Sequence, residues 1–131
     1  MALSRPISFL IALPLFLAGC AAAGSVNENI HVLHPAANAI VKSPLMLQGE
    51  ARGNWYFEAS FPVRLLDAQG KEIAVTQARA QGDWMTTEFV PFTATLNFTT
   101  IAEQGMLVLE KDNPSGLPQN AASIVIPVKF R

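Results

Sequence analysis

The sequence predicts an all-β domain, an antiparallel β-sandwich of about seven strands, placed behind an N-terminal export leader. Two observations lead to this fold class. From residue 30 onward apolar residues recur with a period of two, which is typical of half-buried strands. Turn residues recur roughly every ten positions, the spacing of short strands in a sandwich, and no long helical pattern competes. The 131 residues therefore hold one domain.

Each strand is justified by its own alternation. The clearest case is residues 92–99, where four apolar side chains alternate with Thr and Asn. The last strand contains Pro127, which cannot donate to a ladder and therefore predicts an edge position. The predicted strands are residues 30–33 with 39–41, 44–52, 61–66, 71–80, 92–99, 105–111 and 123–131.

The segment between the second and third strands needs a separate explanation. Residues 55–66 alternate without a break, but a strand of that length is too long for so small a domain. We therefore expect a break near Ser60 or Pro62, with residues 53–59 crossing between the two sheets. Residues 67–70 (DAQG) and 112–116 (DNPSG) are turn signals. With Cys20 as the single cysteine, the sandwich has no disulfide and must rest on packing.

The N-terminus has the pattern of a signal peptide. Residues 1–5 carry a positive charge, and residues 7–17 form an apolar run too short to span a bilayer. Residues 17–20 (LAGC) resemble the lipobox of bacterial lipoproteins. That resemblance implies cleavage before Cys20 and a membrane anchor of palmitate-type acyl chains on the new N-terminus, because several chains give stable anchoring. An ordinary signal peptide followed by an unmodified cysteine is the alternative.

These signals predict a location and a division of the chain. We expect residues 1–19 to be the leader, residues 20–29 a short tether, and residues 30–131 the folded domain. Ala21 follows the cysteine, and the lipoprotein resemblance then implies sorting to the outer membrane, periplasmic face, in a Gram-negative organism. In other bacteria it implies the outer face of the cell membrane.

Charge excludes one class of partner. The formal net charge is -1, and no run of Lys or Arg is present to neutralise successive phosphates. A nucleic-acid binder needs such a run. Nucleic acid is therefore not an expected partner.

Five segments carry a resemblance to a known family. They are residues 43–45 (SPL), 49–58 (GEARGNWYFE), 82–85 (GDWM), 89–92 (FVPF) and 111–116 (KDNPSG). Together they resemble the Gmad2 domain, the immunoglobulin-like domain of bacterial spore germination, over residues from about Ile30 to Phe130. The resemblance implies an immunoglobulin-like sandwich that serves as an extracytoplasmic, non-catalytic binding or scaffolding module. It transfers no catalytic residue and no cofactor.

The sequence contains no motif that predicts an enzyme and no spacing that favours a metal site. His31 and His34 are the only histidine pair, and positions 31 and 34 of a strand face opposite sides, so two solvated histidines are expected. No nucleophile motif and no phosphate-binding glycine loop is present in the sequence. Asp112 and its neighbours offer oxygen ligands for calcium, but a turn explains them adequately.

The aromatic residues leave two interpretations open. They either fill the core or line a groove for a glycan or peptide. Burial of Trp55, Phe57 and Phe61 is expected, because a small sandwich without a disulfide needs large apolar side chains. Trp84 follows Gly82 and Asp83 in a predicted loop, so it is the aromatic residue expected to be exposed.

Arg52 and Glu58 flank the predicted turn at Gly53 and Asn54. We expect the two side chains to pair across it, so that Arg52 fixes the crossover between the sheets. The alternative is an exposed Arg52 that binds an anionic partner, with Trp84 nearby.

Three functional hypotheses follow. The first is a lipid-anchored binding or scaffold module of the cell envelope, monomeric, with an envelope protein or a cell-wall component as its partner. The second is a carrier or receptor for a small molecule or glycan, which needs a cavity that a small sandwich seldom encloses. The third is an envelope hydrolase, for which the sequence offers no set of catalytic residues.

Overall fold

The computed structural model describes residues 27–131 and contains seven antiparallel strands. This confirms the all-β prediction. Two single-turn 3-10 helices, Gly53–Trp55 and Pro118–Asn120, lie in loops, and no helix of residues 27–131 is long and apolar enough to cross a membrane. The strands are β1 (Ile30–His34), β2 (Leu45–Arg52), β3 (Ser60–Asp67), β4 (Glu72–Ala80), β5 (Phe89–Leu96), β6 (Gln104–Glu110) and β7 (Ser123–Lys129).

All seven strands belong to one sheet that curls into two layers. Their order is β1-β2-β5-β4-β3-β6-β7. β4 and β5 pair only at Arg79↔Thr93 and Ala80↔Phe92, whereas β2 and β5 pair along their whole length. The sheet therefore folds over between β4 and β5. One layer is β1-β2-β5, and the other is β4-β3-β6-β7.

The core lies between these layers. Along each strand every second side chain points inward, as the period of two predicts. The rings of Phe61 on β3 and Phe92 on β5 meet edge to face across the interior, with centroids 5.0 Å apart. Within residues 27–131 every buried side chain is hydrophobic, so apolar burial supplies the stability that a disulfide gives other small domains.

Residues 39–41 differ from the prediction, because they do not form a ladder with the first layer. They lie along the outer edge of β7 instead, where the Val41 N–H donates to the Lys129 carbonyl at 2.8 Å and the Lys129 N–H donates to Ala39 at 2.9 Å. The Asn38 N–H donates to the Pro127 carbonyl at 2.6 Å. β7 ends the sheet order, as Pro127 predicted, and this segment partly covers its edge.

β5 also differs, since it covers Phe89–Leu96 and not residues 92–99. Beyond Leu96 apolar and polar residues still alternate, but Phe98 is held by contacts outside the sheet. The Phe98 N–H donates to Ser43 Oγ at 2.9 Å, and the Phe98 ring packs 5.5 Å from that of Phe130. The predicted crossover at residues 53–59 is confirmed, because β3 begins at Ser60.

Candidate functional site

Three loops meet at one end of the sandwich, which we call the loop end: residues 53–59, 81–88 and 111–122. The first lies between the other two. The Gly53 N–H donates to the Glu88 carbonyl at 3.1 Å, and the Asp112 N–H donates to the Trp55 carbonyl at 2.9 Å. The described chain also begins here, because the Arg52 N–H donates to the Asn29 carbonyl at 2.8 Å. The four binding or structural candidates selected from the sequence, Arg52, Trp55, Glu58 and Trp84, therefore lie in or beside one region, whereas Cys20 lies outside the described residues.

Gly53 is required by the close approach of these loops. A Cβ at this position would collide with the backbone carbonyl oxygens of Trp84 and Thr86. Backbone atoms cannot move aside as a flexible side chain can, so only glycine fits. Gly53 is thus the point at which the crossover and residues 81–88 are pressed together.

Arg52 fixes this end, but not through Glu58. Its Nη1 donates to the Thr87 carbonyl at 3.1 Å, and the guanidinium carbon lies 4.2 Å from the centroid of the Phe89 ring. Among the described residues Glu58 is exposed and forms no ion pair with Arg52, so the expected pairing is wrong. Arg52 joins β2 to residues 87–89, because a planar guanidinium can donate a hydrogen bond and stack at once.

Glu58 has another role, since it lies in a tight turn. Phe57 and Ser60 exchange two backbone hydrogen bonds, of 2.9 and 3.1 Å. The two residues between them, Glu58 and Ala59, have φ values of 50° and 64°. Positive φ at both central residues is the conformation of a type I′ turn, which normally carries Asn and Gly. The sequence signal for a turn is therefore missing at this point.

The predicted burial of the aromatic residues is confirmed for Trp55 but wrong for Phe57. Trp55 is buried at 1% exposure, as expected, and its indole Nε1 has no hydrogen-bond acceptor among residues 27–131. Phe57 was expected in the core, but it is 41% exposed because it flanks the projecting turn. Trp84 is half-buried and not the most exposed aromatic residue. Its ring meets that of Phe57 edge to face at 6.4 Å, and the adjacent Met85 is 76% exposed.

Tyr56 ties the crossover to the first layer. Its buried hydroxyl donates to the Val90 carbonyl on β5 at 2.6 Å. Burial raises the pKa of Tyr56 well above its ordinary value, because the phenolate would be desolvated. The hydroxyl therefore remains a donor at any physiological pH.

The histidines and the 111–122 loop offer no group of ligands around one point. His31 is half-buried, with Nδ1 3.0 Å from Glu50 Oε1 and its ring 4.5 Å from that of Phe89, whereas His34 is exposed. In the loop, Ser115 Oγ donates to Asn113 Oδ1 at 2.6 Å. Residues 27–131 contain no cluster of three or more His, Cys, Asp or Glu side chains that could hold a metal.

A second candidate surface, not predicted from the sequence, lies on the outside of the β4-β3-β6-β7 layer. Two neighbouring rows at the centre of this outer face are apolar at six of their eight positions, and polar or charged residues surround them. We call these rows, with Pro62 beside them, the apolar face. Cross-strand pairing places Val75, Arg64, Val108 and Val125 in one row across the four strands. Val75 is 49% exposed and Val125 is 50% exposed. The apolar members of this face are Pro62, Leu66, Val75, Met106, Val108, Val125 and Pro127.

Arg64 is the positive charge within this row, and it is held by two carboxylates. Its Nε donates to Glu110 Oε1 at 3.1 Å, and its Nη1 donates to Glu72 Oε1. The hydrogen bond with Glu72, followed by the charge of Glu110, raises the pKa of Arg64. The guanidinium is thus already matched by charges from β4 and β6.

A sequence signal for the apolar face exists. Residues 106–109 (MLVL) and 124–128 (IVIPV) are apolar at both parities, not at every second position. Strands with this composition are typically covered on both faces. In the structure the core covers only one face of β6 and β7.

The hollows on the described surface are open grooves. One of about 610 Å³ lies between Glu110 and Ala122, one of about 430 Å³ lies between Lys71 and Thr99, and one of about 220 Å³ lies beside Asn38 and Gln104. None of the three encloses a ligand in the way that a carrier requires. No observation here favours the carrier hypothesis.

The comparisons with known proteins agree with this architecture. A family model, Gmad2, the immunoglobulin-like domain of bacterial spore germination, matches residues 29–116, which include β1 to β6 and end before β7. No curated protein and no solved structure gives a significant match. An immunoglobulin-like domain of this kind suggests a generic binding or scaffold module. The match covers well over half of the chain, which therefore belongs to the Gmad2 family of immunoglobulin-like domains.

Proposed function

We propose that this protein is a lipid-anchored binding module of the bacterial cell envelope that engages an envelope protein and acts without catalysis. The anchor would be Cys20, which lies outside the described residues. The leader pattern, the lipobox-like residues 17–20 and the single cysteine support it. With Ala21 after the cysteine, the proposed location is the outer membrane where the organism has one, and the outer face of the cell membrane otherwise.

The apolar face is the observation that carries the binding role. β6 and β7 have the composition of strands covered on both sides, but the domain covers only the inner side. A contiguous apolar patch on a surface often marks the site of a partner, and this patch extends over four strands with Val75 and Val125 half exposed. A partner that packs on the row from Val75 to Val125 would cover the second face of these strands, as their composition predicts.

The chemistry of this face selects the partner. A phosphate or an acidic glycan would require a free cation at the centre of the face, but Arg64 already pairs there with Glu72 and Glu110. The exposed Arg79 and Lys129 lie only at the margins of the face. A neutral glycan would require hydrogen-bonding side chains, whereas most of the face is aliphatic. An apolar protein surface requires neither a free cation nor hydrogen-bonding side chains on this face. We therefore propose a protein of the envelope as the partner, in preference to a cell-wall glycan.

Site-specific photocrosslinking in intact cells tests the binding role. A photoreactive residue replaces Val125 on the apolar face, or Met46 on the outer face of the other layer, and the two positions are equally exposed at 50%. We expect one discrete adduct with another protein from position 125 and none from position 46. The adduct should be lost when Val75→Asp and Val108→Asp are added, because two charges then face the partner.

Other outcomes would contradict the proposal. An adduct of twice the mass of the chain would show that a second copy is the partner. Equal adducts from both positions, or none from either, would remove the apolar face as the binding surface. The anchor is tested separately by mass spectrometry of the protein extracted from membranes, where we expect an acylated N-terminal Cys20. A free thiol would contradict anchoring.

A further inference from the structure

We infer that the loop end rests on the bilayer that holds the chain, with Phe57, Met85 and Leu117 in contact with the lipid headgroup region. This inference rests on the proposed anchor at Cys20. It assigns the loop end a lipid surface as its partner, and it leaves the apolar face directed sideways, available to a protein in the same membrane.

The length of the tether limits where the bilayer can be. Seven peptide units separate Cys20 from Asn27, and they can span at most about 25 Å. Asn27 lies at the loop end, where its Oδ1 accepts hydrogen bonds from the N–H groups of Asn29 and Ile30 at 2.7 and 3.0 Å. β2, with eight residues, is itself about 26 Å long. The opposite end could therefore reach the bilayer only with the tether extended along the whole sandwich.

The loop end carries the side chains that an interfacial contact needs. Phe57 is 41% exposed, Met85 is 76% exposed and Leu117 is 47% exposed, and each belongs to a different one of the three loops. The half-buried ring of Trp84 stands against Phe57 and beside Met85. Aromatic and large apolar side chains together are characteristic of protein surfaces at the membrane interface.

The loop end carries more negative than positive charge. The three loops carry the carboxylates Glu58, Asp83, Glu88 and Asp112 but only one lysine, Lys111. Contact must therefore rest on apolar side chains, and a negatively charged bilayer should weaken it. A few exposed side chains bind a membrane weakly, but an anchor raises their effective concentration at the surface.

Fluorescence quenching by brominated lipid tests the contact. The full-length chain, purified from membranes with its native N-terminus, is reconstituted in phosphatidylcholine vesicles. Bromines near the headgroup should quench part of the tryptophan emission, and bromines deep in the acyl chains should quench less. Trp84→Phe should remove this quenching, because the remaining Trp55 is buried at 1% exposure. Co-flotation of the protein with the vesicles reports the anchor independently.

Two matched variants identify the end that faces the bilayer. Met85→Asp places a charge at the loop end, and Ile101→Asp places one at the opposite end, where Ile101 is 89% exposed. We expect Met85→Asp to lower the quenching by roughly half or more, because a charge opposes interfacial burial, and Ile101→Asp to leave it unchanged. Added phosphatidylglycerol should lower the quenching of the wild-type chain.

Each remaining outcome has a defined meaning. If the chain does not float with the vesicles, the anchor is wrong and this inference fails with it. If the chain floats but Trp84 is not quenched, the anchor stands and the contact alone is wrong. Loss of quenching with Ile101→Asp in place of Met85→Asp, or stronger quenching with anionic lipid, would also overturn the contact.

Discussion

The two ends of the sandwich close their chain reversals by different means. At the end opposite the loop end, residues 67–71 form a turn that its own residues hold. Asp67 Oδ1 accepts hydrogen bonds from the N–H groups of Gln69 and Lys71, both at 2.9 Å, and Gly70 takes a φ of 83°. At the loop end, Glu58 and Ala59 take positive φ without glycine. The Ala80 N–H donates to the Ala59 carbonyl at 2.8 Å, and residues 88 and 112 bind the earlier part of the segment at Gly53 and Trp55.

This contrast teaches where strain is tolerated. A turn with an Asp acceptor and a Gly in the left-handed position needs no outside support. Non-glycine residues in that region cost about 1–2 kcal/mol each and persist only when their surroundings hold them. The loop end therefore depends on non-local packing. Four predictions test this difference, from the largest expected effect to the smallest.

The largest effect is expected from Gly53→Ala. The added Cβ would collide with the carbonyl oxygens of Trp84 and Thr86, so the two loops must separate. We expect a loss of about 3 kcal/mol in the free energy of unfolding, measured by urea denaturation. Gly82→Ala is the matched control, because open space surrounds its Cβ position, and it should change stability by under about 0.5 kcal/mol. Equal effects would mean that Gly53 is not a packing point.

The second prediction tests whether Arg52 acts through Thr87 and Phe89 or through Glu58. Arg52→Ala should cost about 1.5 kcal/mol, because it removes a hydrogen bond to Thr87 and the stacking on Phe89. Double-mutant cycles should give a coupling of about 1 kcal/mol between Arg52→Ala and Phe89→Ala. Arg52→Ala and Glu58→Ala should instead be additive within about 0.5 kcal/mol. Coupling of Arg52 to Glu58 without coupling to Phe89 would contradict this arrangement and would support an ion pair between Arg52 and Glu58.

The third prediction concerns Tyr56. Tyr56→Phe removes the buried hydrogen bond from the hydroxyl to the Val90 carbonyl and should cost about 1 kcal/mol. Burial raises the folded-state pKa of Tyr56 above its unfolded value of about 10. The phenol therefore stabilises the fold fully below about pH 10, and this contribution is lost as the pH rises from there toward the folded pKa. Urea denaturation across that range should show an alkaline loss in the wild type that is smaller in Tyr56→Phe.

The smallest effects are expected from a pair of opposite substitutions in the two turns. Ala59→Gly relieves the positive φ at the loop end and should raise the thermal stability by about 0.5–1 kcal/mol after the entropy cost of glycine. Gly70→Ala forces a Cβ into the same region and should lower it by about 1 kcal/mol. Thermal melts that move in the same direction for both variants would refute the difference between the ends.

The sequence by itself determined the strands, because alternation with a period of two is a local property of half-buried β-structure. All seven lie where the pattern indicates, apart from the shift of β5 and the short segment at residues 39–41. The turn at residues 67–70 was also readable, since Asp67 and Gly70 supply its hydrogen-bond acceptor and its left-handed residue. The edge position of β7 followed from the missing N–H of Pro127.

Only the tertiary structure decided how these elements meet at the candidate surfaces. Arg52 stacks on Phe89 because β2 and β5 are neighbours in the sheet, and the distance in sequence between them conceals this. Phe57 is exposed because the turn at Glu58 and Ala59 directs it outward, and backbone hydrogen bonds hold that turn although it has no glycine. The apolar face exists because the register of four strands places their outward-pointing apolar side chains side by side in rows. Sequence patterns describe each strand alone, whereas a surface is made by register between strands.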